Sequence, residues 1–125
     1  MKSIIQNVGQ IGIPVKDLNR GIKFYKETLN LPLLFNTDNL AFFDCNGIRL
    51  LLSLPETEEF ANASSVLYFQ VEDIHSSYKN LKEKDVRFID EPHIVGKMGQ
   101  TEVWMAFYKD TEDNTHALMS EMTVN

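Results

Sequence analysis

A chain of 125 residues with 43% hydrophobic and 24% charged residues is sized and composed for one compact domain rather than for disorder. Its net charge of −6, with no block of Lys or Arg, argues against binding to nucleic acid or an anionic membrane surface, and no apolar run nears the ~20 residues needed to cross a bilayer. The lone cysteine, Cys45, excludes an internal disulfide and agrees with a cytoplasmic location, and the opening residues 1–7 lack the long apolar stretch of a secretory signal.

Along residues 8–15, Val8, Ile11, Ile13 and Val15 are apolar, and Gln10, Gly12 and Pro14 alternate with the last three. This predicts a strand with one face on a core and Gln10 on the other face. Asp17 then precedes Leu18, Ile22, Tyr25 and Leu29, the spacing of an amphipathic helix whose Asp carboxylate caps free backbone N–H groups. Pro32 lies beyond the helix end. Residues 33–35 and 40–43 predict short strands around a polar turn at 36–39. Asn46-Gly47 is a two-residue hairpin signal, since both residues tolerate positive φ, and residues 48–54 form the next strand. Residues 55–64 are polar and link two halves.

The second half predicts a strand at 66–71, a helix capped by Asp73 and running to about residue 84, and a strand at 86–89. A looser stretch follows at 90–100, then strands at 102–108 and 116–119 around a polar turn at 110–114. The two halves share a pattern. Ile11, Ile13, Val15, Asp17, Leu18, Ile22 and Tyr25 recur 56 residues later as Leu67, Phe69, Val71, Asp73, Ile74, Tyr78 and Leu81. One β-α-β-β-β unit has been used twice, in modules of about 1–58 and 63–125 within a single domain. Such a chain is α+β, and chemistry is expected where corresponding positions of the two modules face a shared hollow.

The run Gln10-Ile-Gly-Ile-Pro-Val-Lys-Asp17-Leu, with Phe24-Tyr25 and Leu29-Asn-Leu31, resembles the opening of the vicinal oxygen chelate superfamily, the group of glyoxalase I, bleomycin-resistance proteins and extradiol dioxygenases. Leu67-Tyr-Phe-Gln-Val-Glu-Asp73-Ile and Trp104-Met-Ala-Phe-Tyr-Lys-Asp110-Thr-Glu-Asp-Asn114 extend the likeness over nearly the whole chain. The resemblance implies two βαβββ modules curving into an incomplete mixed β-barrel with helices outside, and a homodimer. In that family Thr111 stands where a Pro is usual and Asp113 where a Gly is usual; Asp and Asn still accept left-handed backbone, so the turn should survive.

The family's chemistry uses a divalent metal held by His, Gln or Glu at four positions, two from each module. Carried over, these are Gln10, Val66, Ala117 and a counterpart near Leu50. One donor in four does not hold such a cation, so no resident cofactor is expected and no metal ligands are assigned. The expected function is binding of a small organic molecule, with the metal site largely lost. The alternatives are a metal-dependent lyase or isomerase of the glyoxalase I kind, using Gln10 with His93, Glu102 or His116, and a non-enzymatic interaction module.

Substrate contacts are expected from Gln10, Tyr68, Gln70, Arg49 and Trp104. Tyr68 and Gln70 alternate with core-facing Leu67 and Phe69, and a hydroxyl and an amide on an apolar wall orient a polar ligand. Arg49 offers a fork for a carboxylate, or else an ordinary surface ion pair. His93, Glu102 and Tyr68 are the candidate catalytic groups: His93 and Glu102 could form an acid/base pair, and Glu102 shares a strand face with Trp104. His75, in the first turn of a helix, reads as a surface residue, and His116 as a helix-facing, partly buried one.

Overall fold

The computed structural model describes residues 4–62 and 65–124. The chain divides into two compact units, one ending at Ala63 and the other beginning at Ser64. Each is a mixed sheet with helical structure on one face, an α+β arrangement.

The first unit runs β1 (Gln10–Pro14), α1 (Leu18–Lys23), β2 (Leu33–Asn36), β3 (Leu40–Cys45) and β4 (Ile48–Ser53), with strand order β1-β4-β3-β2. β1 and β4 are parallel and the other neighbours antiparallel. The second unit runs β5 (Leu67–Gln70), α2 (Ile74–Glu83), β6 (Arg87–Phe88), β7 (His93–Met98), β8 (Thr101–Lys109) and β9 (Thr115–Thr123). Its order is β5-β9-β8-β6, with β7 also on β8, and β5 and β9 are the parallel pair. In both units, then, the first strand lies parallel to the last.

The duplication extends to cap geometry. Asp17 has φ −129° and ψ 106°, and Asp73 has φ −128° and ψ 105°; each side chain accepts backbone N–H bonds from its helix's first turn. α1 is shorter than its spacing predicts. At Phe24 it widens into a π-helical turn, Phe24–Thr28, in which Leu29 N–H donates to Phe24 C=O at 3.0 Å. The wider turn reduces the angle between successive side chains. Phe24 and Tyr25 can thereby both be buried, edge to face at 5.4 Å, with Tyr25 6.0 Å from Phe43. A Cβ on Gly21 would sit 3.2 Å from Val15 Cγ1 and 3.4 Å from Leu52 Cδ1, so this glycine sets how closely α1 approaches its sheet.

The hairpin at Asn46-Gly47 has φ of +50° and +101°, as its sequence demands. In the second unit an aromatic chain ties helix to sheet: Tyr78 to Phe88 at 4.5 Å, Phe88 to Tyr108 at 5.5 Å, and Tyr108 to His116 at 5.7 Å. The stretch at 90–100, expected to be loose, contains β7. Its residues are all exposed and it pairs with β8 alone, so its backbone bonds rather than a buried side-chain pattern make it a strand.

Candidate functional site

Strand register sorts every candidate residue onto a sheet face. In the first unit Ile13, Ala41, Phe43, Leu50 and Leu52 are buried on the face that α1 covers. Gln10, Gly12, Arg49, Leu51 and Phe42 alternate with them onto the open face. Gln10 and Arg49 are register partners across β1 and β4, and Arg49 Nε–H donates to Gln10 Oε1 at 3.1 Å. The Arg49 guanidinium carbon lies 5.0 Å from the centre of the Phe42 ring, which in turn stacks on Phe35 at 6.2 Å and 25°. Two residues singled out separately in the sequence thus form one constellation, with an aromatic base that sequence reasoning did not assign. The only signal for Phe42 is its alternation with Phe43 in a strand that is apolar on both faces.

In the second unit the same sorting divides the candidates. The Tyr108–His116 and Phe69–His116 ring contacts mark the α2-covered face, with His116 only 1% exposed. Unbroken β8–β9 pairing places Glu102 and Trp104 in phase with Tyr108, on that covered face. There Trp104 Nε1–H donates to Glu102 Oε1 at 3.2 Å, and the His75 ring meets Trp104 edge-on at 5.0 Å. Glu102 also lies 3.8 Å from Lys97 Nζ. Tyr68, Gln70 and His93 stand on the opposite, open face: Tyr68 is half-exposed and meets Phe107 edge-on at 6.0 Å, and His93 pairs with Met105. His93 Nδ1 is 2.8 Å from Glu91 C=O. His93 and Glu102 are not brought together, since one sits opposite Met105 and the other opposite Lys97, on different faces of β8.

Of the ligand positions that the resemblance implies, Gln10, Ala117 and the counterpart near Leu50 can be placed by register. Gly12 pairs with Leu51, and Tyr68, 56 residues after Gly12, pairs with Ala117. The first-unit counterpart of Ala117 is therefore Leu51 rather than Leu50. Leu50 instead corresponds to His116, both 1% exposed on helix-covered faces. Of Gln10, Leu51, Val66 and Ala117, only Gln10 carries a donor atom, and that oxygen accepts the Arg49 bond. Among the described residues, no group of three or more His, Cys, Asp or Glu side chains gathers to hold a metal ion.

Two further features bear on chemistry. Burial first, and the neighbouring Asp44 carboxylate second, push the Cys45 thiol above its usual range, the opposite of what a nucleophile needs. The turn before β9 survives its substitutions: Asp113 has φ +65°, and the buried Asp110 carboxylate accepts from Glu112 N–H and Asn114 N–H, both at 2.8 Å, and from Asn114 Nδ2 at 3.0 Å. Among the described residues no helix is long and apolar enough to cross a membrane.

The family model of the Glyoxalase/Bleomycin resistance protein/Dioxygenase superfamily matches residues 7–115. The uncharacterized protein YraH of Bacillus subtilis (strain 168) is 33% identical over 98 residues, covering 67% of this chain and 77% of that one. A crystal structure of a superfamily member from Sphaerobacter thermophilus superposes with a TM-score of 0.78 at 22% identity, covering 94% of this chain and 99% of that one. Lactoylglutathione lyase from Agrobacterium tumefaciens has the same fold, with a TM-score of 0.75 at 15% identity over 93% of this chain and 94% of its own. With its duplicated parallel first and last strands, its paired Asp caps and a match over most of its length, the chain belongs to the Glyoxalase/Bleomycin resistance protein/Dioxygenase superfamily.

Proposed function

We propose that this protein binds a small, partly apolar organic molecule and does so without a divalent metal. The observation that supports this reading is the Gln10–Arg49 hydrogen bond. A divalent cation at Gln10 Oε1 would have to displace a guanidinium and then share its surroundings with that positive charge. The other three family positions, Leu51, Val66 and Ala117, offer hydrocarbon where the cation needs oxygen or nitrogen. This donor set does not fit the metal. The open faces instead combine apolar surface, Phe42 among it, with a few polar groups: Gln10 and Arg49 on the first sheet, Tyr68 and Gln70 on the second. That mixture suits recognition of a small organic ligand.

The test is elemental analysis of untagged protein, followed by thermal shift with zinc, nickel, manganese and iron(II) and with a panel of small organic compounds. Substoichiometric metal, no shift with any metal and stabilisation by at least one organic compound are expected. A ligand at a hundred times its Kd adds about 2.7 kcal/mol to the native state, a readily measured shift. Stoichiometric metal, with hemithioacetal turnover that chelator abolishes and metal restores, would overturn the reading. So would a panel in which no compound stabilises the protein.

A further inference from the structure

Resting on that binding reading, we propose that Arg49 recognises an anionic group, and that the ligand is a small monocarboxylate with a flat apolar body. Arg49 is held at two points. Its Nε–H is fixed by Gln10 and its guanidinium lies over Phe42. Both contacts leave the terminal nitrogens unused, and no described residue forms an ion pair with Arg49. Asp44, directly opposite across β3 and β4, has a carboxylate oxygen engaged by Gly47 N–H at 3.1 Å, back in the hairpin turn.

Arg87 shows the contrast. Its terminal Nη2 donates to Asp110 C=O at 2.8 Å and to Asp113 Oδ1 at 3.0 Å, so one terminal nitrogen of its fork is spent in stabilising a turn. Arg49 is held at the base of the fork, and the Nη edge is left for a partner from outside. Such an edge suits the two oxygens of a carboxylate, and a guanidinium already oriented loses less freedom on binding.

The surroundings define the rest of the ligand. Beside the Gln10–Arg49 pair, Gly12 presents bare backbone, and a Cβ built there would meet no atom within 4 Å. Leu51, its register partner, and the Phe42–Phe35 stack supply apolar surface for a flat group. Arg49 is the one cation among the described residues of this open face, and Asp44 lies on the same face. One positive charge in an acidic chain favours a monoanion over a phosphate dianion.

The probes are sodium benzoate and neutral benzamide, titrated at constant ionic strength into ¹⁵N-labelled protein while backbone amides and the arginine Nε–H signals are followed. Benzoate is expected to shift the Arg49 Nε–H and the Gly12 and Leu51 amides saturably, and benzamide to bind at least about tenfold more weakly, as expected for loss of a charge-assisted bond. Arg49→Gln should erase the preference for benzoate, and Arg49→Lys should weaken benzoate about fivefold or more by removing the fork. Gly12→Val, at a position without positive φ, should block benzoate while leaving the amide spectrum folded. Equal binding of the two probes, unchanged benzoate affinity in Arg49→Gln, or no benzoate binding at all would overturn the inference. If neutral compounds still stabilise the protein in the thermal-shift panel, the broader binding reading survives that failure; if none does, both fall.

Discussion

Replacing Asp110 by Ala tests how the last turn is held. The side chain is fully buried and accepts hydrogen bonds from Glu112 N–H, Asn114 N–H and Asn114 Nδ2, on residues that are themselves buried. Truncation strands these donors away from water, at about 1–2 kcal/mol each. The expected loss is therefore about 3–6 kcal/mol, a large share of the ~5–15 kcal/mol that stabilises a domain of this size. Asp110→Asn keeps one oxygen for the two backbone donors and forfeits the Asn114 side-chain bond and the charge, so it should cost about half as much. Urea unfolding followed by far-UV circular dichroism and Trp104 fluorescence measures both. With a denaturant dependence of about 1–3 kcal/mol per molar, the Ala variant's midpoint should fall by about 2 M. An Ala variant within about 1 kcal/mol of wild type, or an Asn variant as damaged as the Ala variant, would refute this account of the turn.

The two helix caps share one geometry: Asp73 accepts from His75 N–H and Ser76 N–H (3.0 and 3.2 Å), and Asp17 accepts from Arg20 N–H (3.1 Å). Asp73→Ala and Asp17→Ala should each cost about 1–2 kcal/mol by the same urea measurement; a variant as stable as wild type would contradict the cap geometry. Cys45 should alkylate with iodoacetamide more slowly than an unstructured thiol at pH 7–8, since a raised thiol pKa leaves less thiolate. The rate should keep climbing at alkaline pH where a free thiol has levelled off, and Asp44→Asn should speed it modestly. A native rate equal to that in urea would rule out the protected thiol.

Local chemistry was legible residue by residue. Asp17 and Asp73 were readable as caps because an Asp before an apolar helical spacing acts within a few residues of itself. Asn46-Gly47 declared its hairpin for the same reason, through backbone that only such residues adopt cheaply. Alternation placed Gln10 opposite Ile11 and Ile13, and Tyr68 and Gln70 opposite Phe69, because a strand's side chains change face at every step. Strand β7 escaped notice. Its residues are exposed, so no buried period marks them, and its order comes from bonds to β8.

Glu102 and Trp104 show where alternation stops. Their shared face could be read, but β8 is apolar on both faces from Val103 to Tyr108, so nothing in the strand itself says which side meets α2. Gln10 and Arg49 lie 39 residues apart, and no local pattern foretells that a parallel register will join them. The sequence alone determined the repeat, the caps and the turns, since each depends on residue type and near neighbours. The tertiary structure decided which strand lies beside which and which face a helix covers, because pairing and burial are settled by the whole sheet. The Gln10–Arg49 pair of the first unit, on which the proposed ligand class turns, belongs to that second kind.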